Sequence, residues 1–315
     1  MSRRFTTLVL LSQPALPEPE PLEQVLTARF DRCGPAEVPR DMVEDDLMVV
    51  DLGGELMALE RIDAPMPHAP LDAPVQPERP FDASEAVSAH AACLRVVGLE
   101  EPADSAAALR QARAVTVTAG VLARMLKGLA AFYPTSGALL PEGEALRAAH
   151  TVQAGVSPIE AWVTFYPLGP EEDGETVPHG ACTLGLEPLI GREIEVAPLP
   201  MTRRKALDRA YGATWRALDG EDPLEDGLEL RDADDKVYAT VRAARHWLRE
   251  GVPAWVLVGP DAVVEPRKLR LKRGTDPAVL KTPVTQRPPE DKGAAPAAPE
   301  DVAPEAAAAD PAARN

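Results

Sequence analysis

Cysteine is scarce in this chain, basic charge is outnumbered, and no long apolar run exists; each shortage removes a class of protein. Cys33, Cys93 and Cys182 are odd in number and far apart, which does not make the paired framework of a secreted disulfide scaffold and fits a reducing cytoplasm. Lysine and arginine total 33 against 50 aspartates and glutamates, a net charge of −17 that repels nucleic-acid backbones and anionic lipid. Nowhere do about 18 uninterrupted apolar residues occur, so a membrane span is not expected. The N-terminal "MSRRFTTLVLLSQPALPEPEP" has the arginines of a signal peptide. Its apolar run is broken by Thr6 and Thr7 and stops at Ser12 without a cleavage site, so Phe5 to Leu11 reads as a strand.

Catalytic signatures are missing too. There is no G-x-S-x-G, C-x-x-C or H-E-x-x-H. The nearest approach to a phosphate loop, "GLEPLIGRE", has its glycines one residue too far apart, Arg192 in place of lysine and Glu193 in place of the hydroxyl residue. It holds no G-x-G and runs into alternating residues instead of a helix, so a dinucleotide fingerprint fails as well. In "YPTSG" (Tyr133 to Gly137) the Thr-Ser pair reads as a polar loop bonding local backbone, and the acidic clusters "VEDDL" and "GPEEDGE" read as solvated charge. No cofactor is expected.

What is present, 45% hydrophobic residues in 315, suffices for one large core or two modest ones. "FTTLVLL" predicts a strand; "PLEQVLTARF" sets Leu22, Val25, Leu26 and Phe30 on one helical face; "DLMVVDLGGELMALERI" predicts a hairpin turning at Gly53-Gly54. These make an N-terminal β-α-β-β unit over residues 1–80. A second α+β unit over 81–275, packed with the first as one composite domain, holds the strand "HAACLRVVGLE" and a long helix, "DSAAALRQARAVTVTAGVLARMLKG", capped by Asp104 or Ser105. The strand "LAAFYPT", the helix "GEALRAAH" and the strand "IEAWVTFYPL" follow. "TRRKALDRAYGATWRALDG" predicts a helix with Leu207, Tyr211, Trp215 and Leu218 on its inward stripe; "DKVYATVRAARHWLREG" admits strand or helix, and "AWVLVGP" reads as a strand. Trp162 and Trp215 read as core, as by default do Trp247 and Trp255, which flank "LREGVPA" and are candidates for an aromatic anchor. Residues 276–315 form an Ala/Pro-rich tail expected to be disordered; just before it Arg267 to Arg273, "RKLRLKR", is the one concentrated basic strip. The fold class is therefore α+β: two α/β sandwich-like halves with mostly antiparallel sheets packed by long helices.

The stretch "HGACTLGLEPLIGREIEV" (179 to 196) reads as a strand ending near Leu186, a turn from Glu187 to Gly191, and a second strand alternating Ile194 and Val196 with Glu193 and Glu195. His90-x-x-Cys93 and His179-x-x-Cys182 repeat one spacing, and together they are a two-histidine, two-cysteine set that zinc accepts. Against that reading, Cys93 falls inside a strand, where residues three apart point to opposite faces, and buried cysteine packs as a small hydrophobe.

The opening strand and helix, the central "HAACLRVVGL" with the helix after it, and above all Thr183, Gly185, Leu186, Leu189, Gly191, Glu193, Ile194 and Glu195 resemble the domain of unknown function 4261 family of bacterial proteins, over about residues 5 to 260. The resemblance implies no reaction, cofactor or catalytic residue. The functional expectation is a cytoplasmic, non-enzymatic accessory or immunity-type factor contacting another protein, by charge a basic one, with neither nucleic acid nor membrane as partner. The alternative is a hydrolase or other small-molecule enzyme with an unrecognised site, zinc-dependent through the two H-x-x-C pairs.

Overall fold

A computed structural model describes residues 4–66, 83–220, 223–232, 234–246 and 251–260. The C-terminal tail, the Arg267 to Arg273 strip, Trp247 and most of the proline-rich connection before residue 83 lie outside the described residues.

The β-branched opening run forms β1 (Thr6–Leu11), and two early prolines start α1 (Pro19–Arg29), which buries Leu22 and Leu26. A two-residue β2 (Ala36–Glu37) precedes the hairpin of β3 (Leu47–Leu52) and β4 (Glu55–Ile62). Its turn needs positive φ at both central residues, and Gly53 and Gly54 supply +63° and +90°. A short α2 (Ala83–Ala89) leads to β5 (Ala92–Gly98), then to the 21-residue α3 (Ser105–Met125), whose cap is Asp104 accepting the Ala107 N–H at 2.8 Å. β6 (Ala130–Tyr133) and β7 (Ala138–Pro141) complete a seven-stranded antiparallel sheet ordered β2-β3-β4-β5-β1-β6-β7. Both faces of β1 are buried. Val9 and Leu11 meet α1 and α3, while Leu8 and Leu10 meet Ala86 and Val87 of α2, so the strand reads as a continuous apolar run.

α4 (Glu142–Gln153) packs on α3, and one helical turn, α5 (Ile159–Trp162), enters the second sheet. That turn corrects the expectation of a strand beginning at Ile159: the Pro158 carbonyl accepts from the amides of both Ala161 and Trp162, and extended chain resumes only at β8 (Thr164–Leu168). β9 (Pro178–Leu184), the single-turn α6 (Glu187–Ile190), β10 (Glu193–Pro200), α7 (Arg203–Asp219), β11 (Glu229–Arg231), β12 (Val237–Arg245) and β13 (Pro253–Val258) follow. The ambiguous segment is thus strand: β12, rich in β-branched residues, pairs on both sides, with β11 and β13. The sheet order is β11-β12-β13-β10-β9-β8, with one parallel pair, β10 and β13.

The architecture is α+β, two mostly antiparallel sheets packed by helices. One apolar cluster runs from Phe5 to Leu257 through both. At the seam Phe5 packs edge-on against Trp162, centroids 6.0 Å apart, and the buried Trp162 Nε1–H donates to Thr116 Oγ1 at 2.8 Å. No described helix is long and apolar enough to cross a membrane.

Candidate functional site

The glycine-rich stretch is the bend between two antiparallel strands that its pattern implies. β9 ends at Leu184, and Gly185 turns the chain with φ +117°, where an added Cβ would run into the Trp162 carbonyl. The bend closes as α6, capped by Gly191 in the left-handed conformation with its N–H on the Glu187 carbonyl. Along β10 Glu193 and Glu195 alternate with Ile194 and Val196, and both glutamates are buried, 0% and 1% exposed.

The reason is hydrogen bonding. Glu193 Oε1 accepts the N–H of Gly185 at 2.9 Å and of Glu187 at 3.2 Å; Oε2 accepts the N–H of Leu186 at 3.2 Å and the Thr183 hydroxyl at 2.8 Å. Three consecutive amides converge on one anion, as in a phosphate-binding nest, and the anion is the chain's own carboxylate. Burial pushes the Glu193 carboxyl above its ordinary range, with the Gly185 amide, the Thr183 hydroxyl and the other two amides opposing it. The chemistry of the loop is therefore internal: its amides hold Glu193 and are turned away from solutes.

Glu195 lies beside this cradle. It stands directly across from Cys182, which in turn faces Tyr166 on β8, and its Oε1 is 3.6 Å from Nε2 of the buried His246. The same imidazole nitrogen is 3.2 Å from the Thr183 carbonyl oxygen. The sequence singles out Cys182 as a candidate ligand and Glu195 and Thr183 as motif residues, but gives no sign of His246 or Tyr166 beside them, since a lone histidine or tyrosine in a strand carries no spacing signal. Burial raises the Cys182 thiol well above its usual range, and Glu195 and Glu193 add to the effect. Burial with Cys182 nearby pushes Tyr166 up to about 12. Cys182 is closed off from solvent and packs as a small buried side chain.

The other candidate ligands are dispersed. His90 Nε2 accepts the Met66 N–H at 2.9 Å, which leaves the ring proton on Nδ1 toward the Val87 carbonyl, so both nitrogens serve the backbone. Cys93 packs with Leu8, Leu10 and Phe132. His179, on the second sheet, has no hydrogen bond at either ring nitrogen; its Nε2 is 3.5 Å from Asp173, whose carboxylate also accepts the Arg203 N–H at 2.9 Å. The structure therefore separates the two H-x-x-C pairs, and among the described residues no group of three or more His, Cys, Asp and Glu side chains is arranged to hold a metal ion. In the "YPTSG" loop the Ser136 hydroxyl donates to the Ala161 carbonyl at 2.8 Å and accepts the Ala138 N–H at 3.2 Å.

A second correction falls on α7. The helix buries Ala206, Leu207, Ala210, Ala213, Thr214 and Leu218 against the sheet, and Trp215 points outward, 51% exposed. Leu207 and Leu218 point inward as the stripe implies, while small residues fill the middle of the contact and leave Trp215 outside it. Tyr211 is half-buried, its ring 5.7 Å from that of Phe165. At the same end of the helix, Asp219 takes the Ser157 N–H at 2.9 Å and its hydroxyl at 2.6 Å, which places the 43%-exposed Val156 beside the last turn. The exposed side of α7 carries Arg204, Lys205, Asp208 and Gly212 with Trp215 as its one large apolar residue.

Comparison of the chain with protein-family models, with curated proteins and with solved structures finds no match.

Proposed function

We propose that this chain is a non-enzymatic protein-binding factor of the cytoplasm, accessory or immunity-type, and that its docking face is the outer side of α7. One observation carries the reading: Trp215, the residue type most enriched at interaction hot spots, stands half out in solvent on a regular helix. The net charge of −17 steers a basic protein toward the molecule and nucleic acid and anionic membranes away from it. The resemblance of the Thr183 to Glu195 motif to the domain of unknown function 4261 family belongs to the same proposal, and it agrees with a loop whose glycines serve the fold. The test is recovery of partners from the native cell with the wild-type chain and with Trp215→Glu, at low and moderate salt. A stoichiometric partner held by the wild type and lost by the variant supports the reading; no partner for either, or one indifferent to the substitution, counts against it.

A further inference from the structure

The start of α7 gathers hydrogen-bond donors that the chain itself does not fully use. The loop from Gly169 to Val177 folds over it: the Arg203 guanidinium donates to the Pro170 and Glu171 carbonyls at 3.0 and 2.9 Å, and the Met201 N–H to Val177 at 3.2 Å. Asp173, on that loop, has Oδ1 2.9 Å from the Arg203 backbone nitrogen and 3.5 Å from Nε2 of His179. His179 is 0% exposed and makes no hydrogen bond at either ring nitrogen. Its Nδ1 faces Gly169, where an added Cβ would lie 3.0 Å away, so Nε2 is the nitrogen turned toward Asp173. Arg203 Nε is likewise buried without a hydrogen bond. Thr202 Oγ1 takes the Lys205 N–H at 3.2 Å, and among the described residues nothing takes the Arg204 N–H.

We propose that this helix start is a binding site for an oxyanion of the phosphate class, and that Asp173 is its tethered, displaceable occupant. The point where Asp173 Oδ1 sits is where an N–H at the positive end of a 17-residue helix and a buried imidazole converge. The Arg203 amide, with His179 and the Arg203 guanidinium adding to it, holds the Asp173 carboxyl below its ordinary value, so the site favours negative charge. Glu193 is the contrast: it is fully buried, accepts four hydrogen bonds and fills its loop. The Asp173 side chain is 53% exposed and can swing into water, while His179 stays fixed in the fold. A tetrahedral anion then has one oxygen for the Arg203 N–H, one for His179 and one for the Arg204 N–H, more than the carboxylate offers. A cation has the wrong sign, since Arg203, Arg204, Lys205 and the helix dipole all oppose it. Glu171, Glu172 and Glu175 on the loop are exposed, and water and salt weaken their repulsion of an anion. The site does not involve Trp215 and goes beyond the docking reading.

The experiment is NMR of the full chain titrated with inorganic phosphate and, side by side, with O-phosphoserine, at neutral pH and constant ionic strength. In the wild type the Arg203 and Arg204 amides and the His179 ring should shift and saturate below about 20 mM of one or both. Tighter binding of phosphoserine assigns the site to a phosphorylated side chain, and tighter binding of phosphate to the free ion. Asp173→Ala, a change at an exposed loop position, should bind about tenfold or more tightly, because a tethered competitor is gone. His179→Leu should bind about tenfold more weakly, having lost a buried donor to an anion. Should His179→Leu melt below the wild type, Asp173→Ala alone decides. Signals that stay put in both the wild type and Asp173→Ala overturn the site, as do equal shifts from sodium chloride at matched ionic strength. An Asp173→Ala chain that binds no more tightly than the wild type overturns it too, as does a His179 ring that answers to zinc chloride and not to phosphate. None of these results bears on the partner held by Trp215, so the proposed function stands or falls separately.

Discussion

Replacing Glu193 with alanine should open an anion site where the wild type has none. The substitution removes four accepted hydrogen bonds and leaves the N–H groups of Gly185, Leu186 and Glu187 facing a hole. A buried donor without a partner costs on the order of 1–3 kcal/mol; three of them, offset by no longer burying a carboxylate, give a net loss of about 3 kcal/mol. For a folded unit of this size each kcal/mol lowers the melting temperature by about 2–4 °C, so the variant should melt about 6–12 °C below the wild type. A glutamine in the same place keeps one oxygen for Gly185 and Glu187 and turns its amide toward Thr183, stranding only the Leu186 N–H. Glu193→Gln should therefore lose about 1 kcal/mol. Formate is the side chain's own head group. Added to Glu193→Ala it should occupy the three amides and restore up to about 2.7 kcal/mol at a hundredfold excess over its Kd, with little effect on the wild type. Scanning calorimetry with and without formate reads all three. An alanine variant within about 2 °C of wild type, or formate raising both chains equally, would refute the reasoning.

Three further outcomes follow from the same geometry. Because burial holds the Glu193 carboxyl above its ordinary 4.5 in the folded chain, its contribution is fully present below that value and is lost as pH rises through the folded pKa. The advantage of wild type over Glu193→Gln in urea unfolding should thus grow on acidification toward 4.5, and a gap that narrows would show that the hydrogen bonds outweigh desolvation. Gly185→Ala forces a side chain into positive φ against the Trp162 carbonyl and should cost about 3 kcal/mol or more, read by the same unfolding; a loss under about 1 kcal/mol is the wrong answer. Gly212→Ala should do the opposite, raising the stability of the chain by up to about 1 kcal/mol, since nothing surrounds the added methyl.

Much of the fold was legible where local chemistry and tertiary environment agree. Gly53-Gly54 between two apolar runs admits one solution, and Asp104 ahead of a long apolar-periodic segment is a helix start that the α3 cap reproduces. Legibility failed where two patterns compete in one segment. On α7 the expected stripe holds at Leu207 and Leu218, which are buried, and fails at Trp215, because Ala206, Ala210, Ala213 and Thr214 fill the middle of the contact with the sheet. At Ile159–Trp162 an apolar, strand-like composition gives way to one helical turn, because Pro158 offers its carbonyl and Ser157 is tied to Asp219. The candidate site was the least legible. Alternating glutamates signal a solvent-facing edge, and only the three-dimensional return of Gly185 to Glu187 onto Glu193 supplies the bonds that let a carboxylate be buried. The repeated H-x-x-C spacing, conspicuous in the sequence, joins residues whose surroundings already occupy or separate them.

The central claim is that the glycine loop is filled by the chain itself, which leaves the surface of α7 to do the external work. Amide NMR of the wild type titrated with inorganic phosphate tests it most directly. The signals of Gly185, Leu186 and Glu187 should stay where they are at every phosphate concentration. A saturable shift of those three amides would mean that Glu193 yields its place to a ligand and that the loop is a binding site after all.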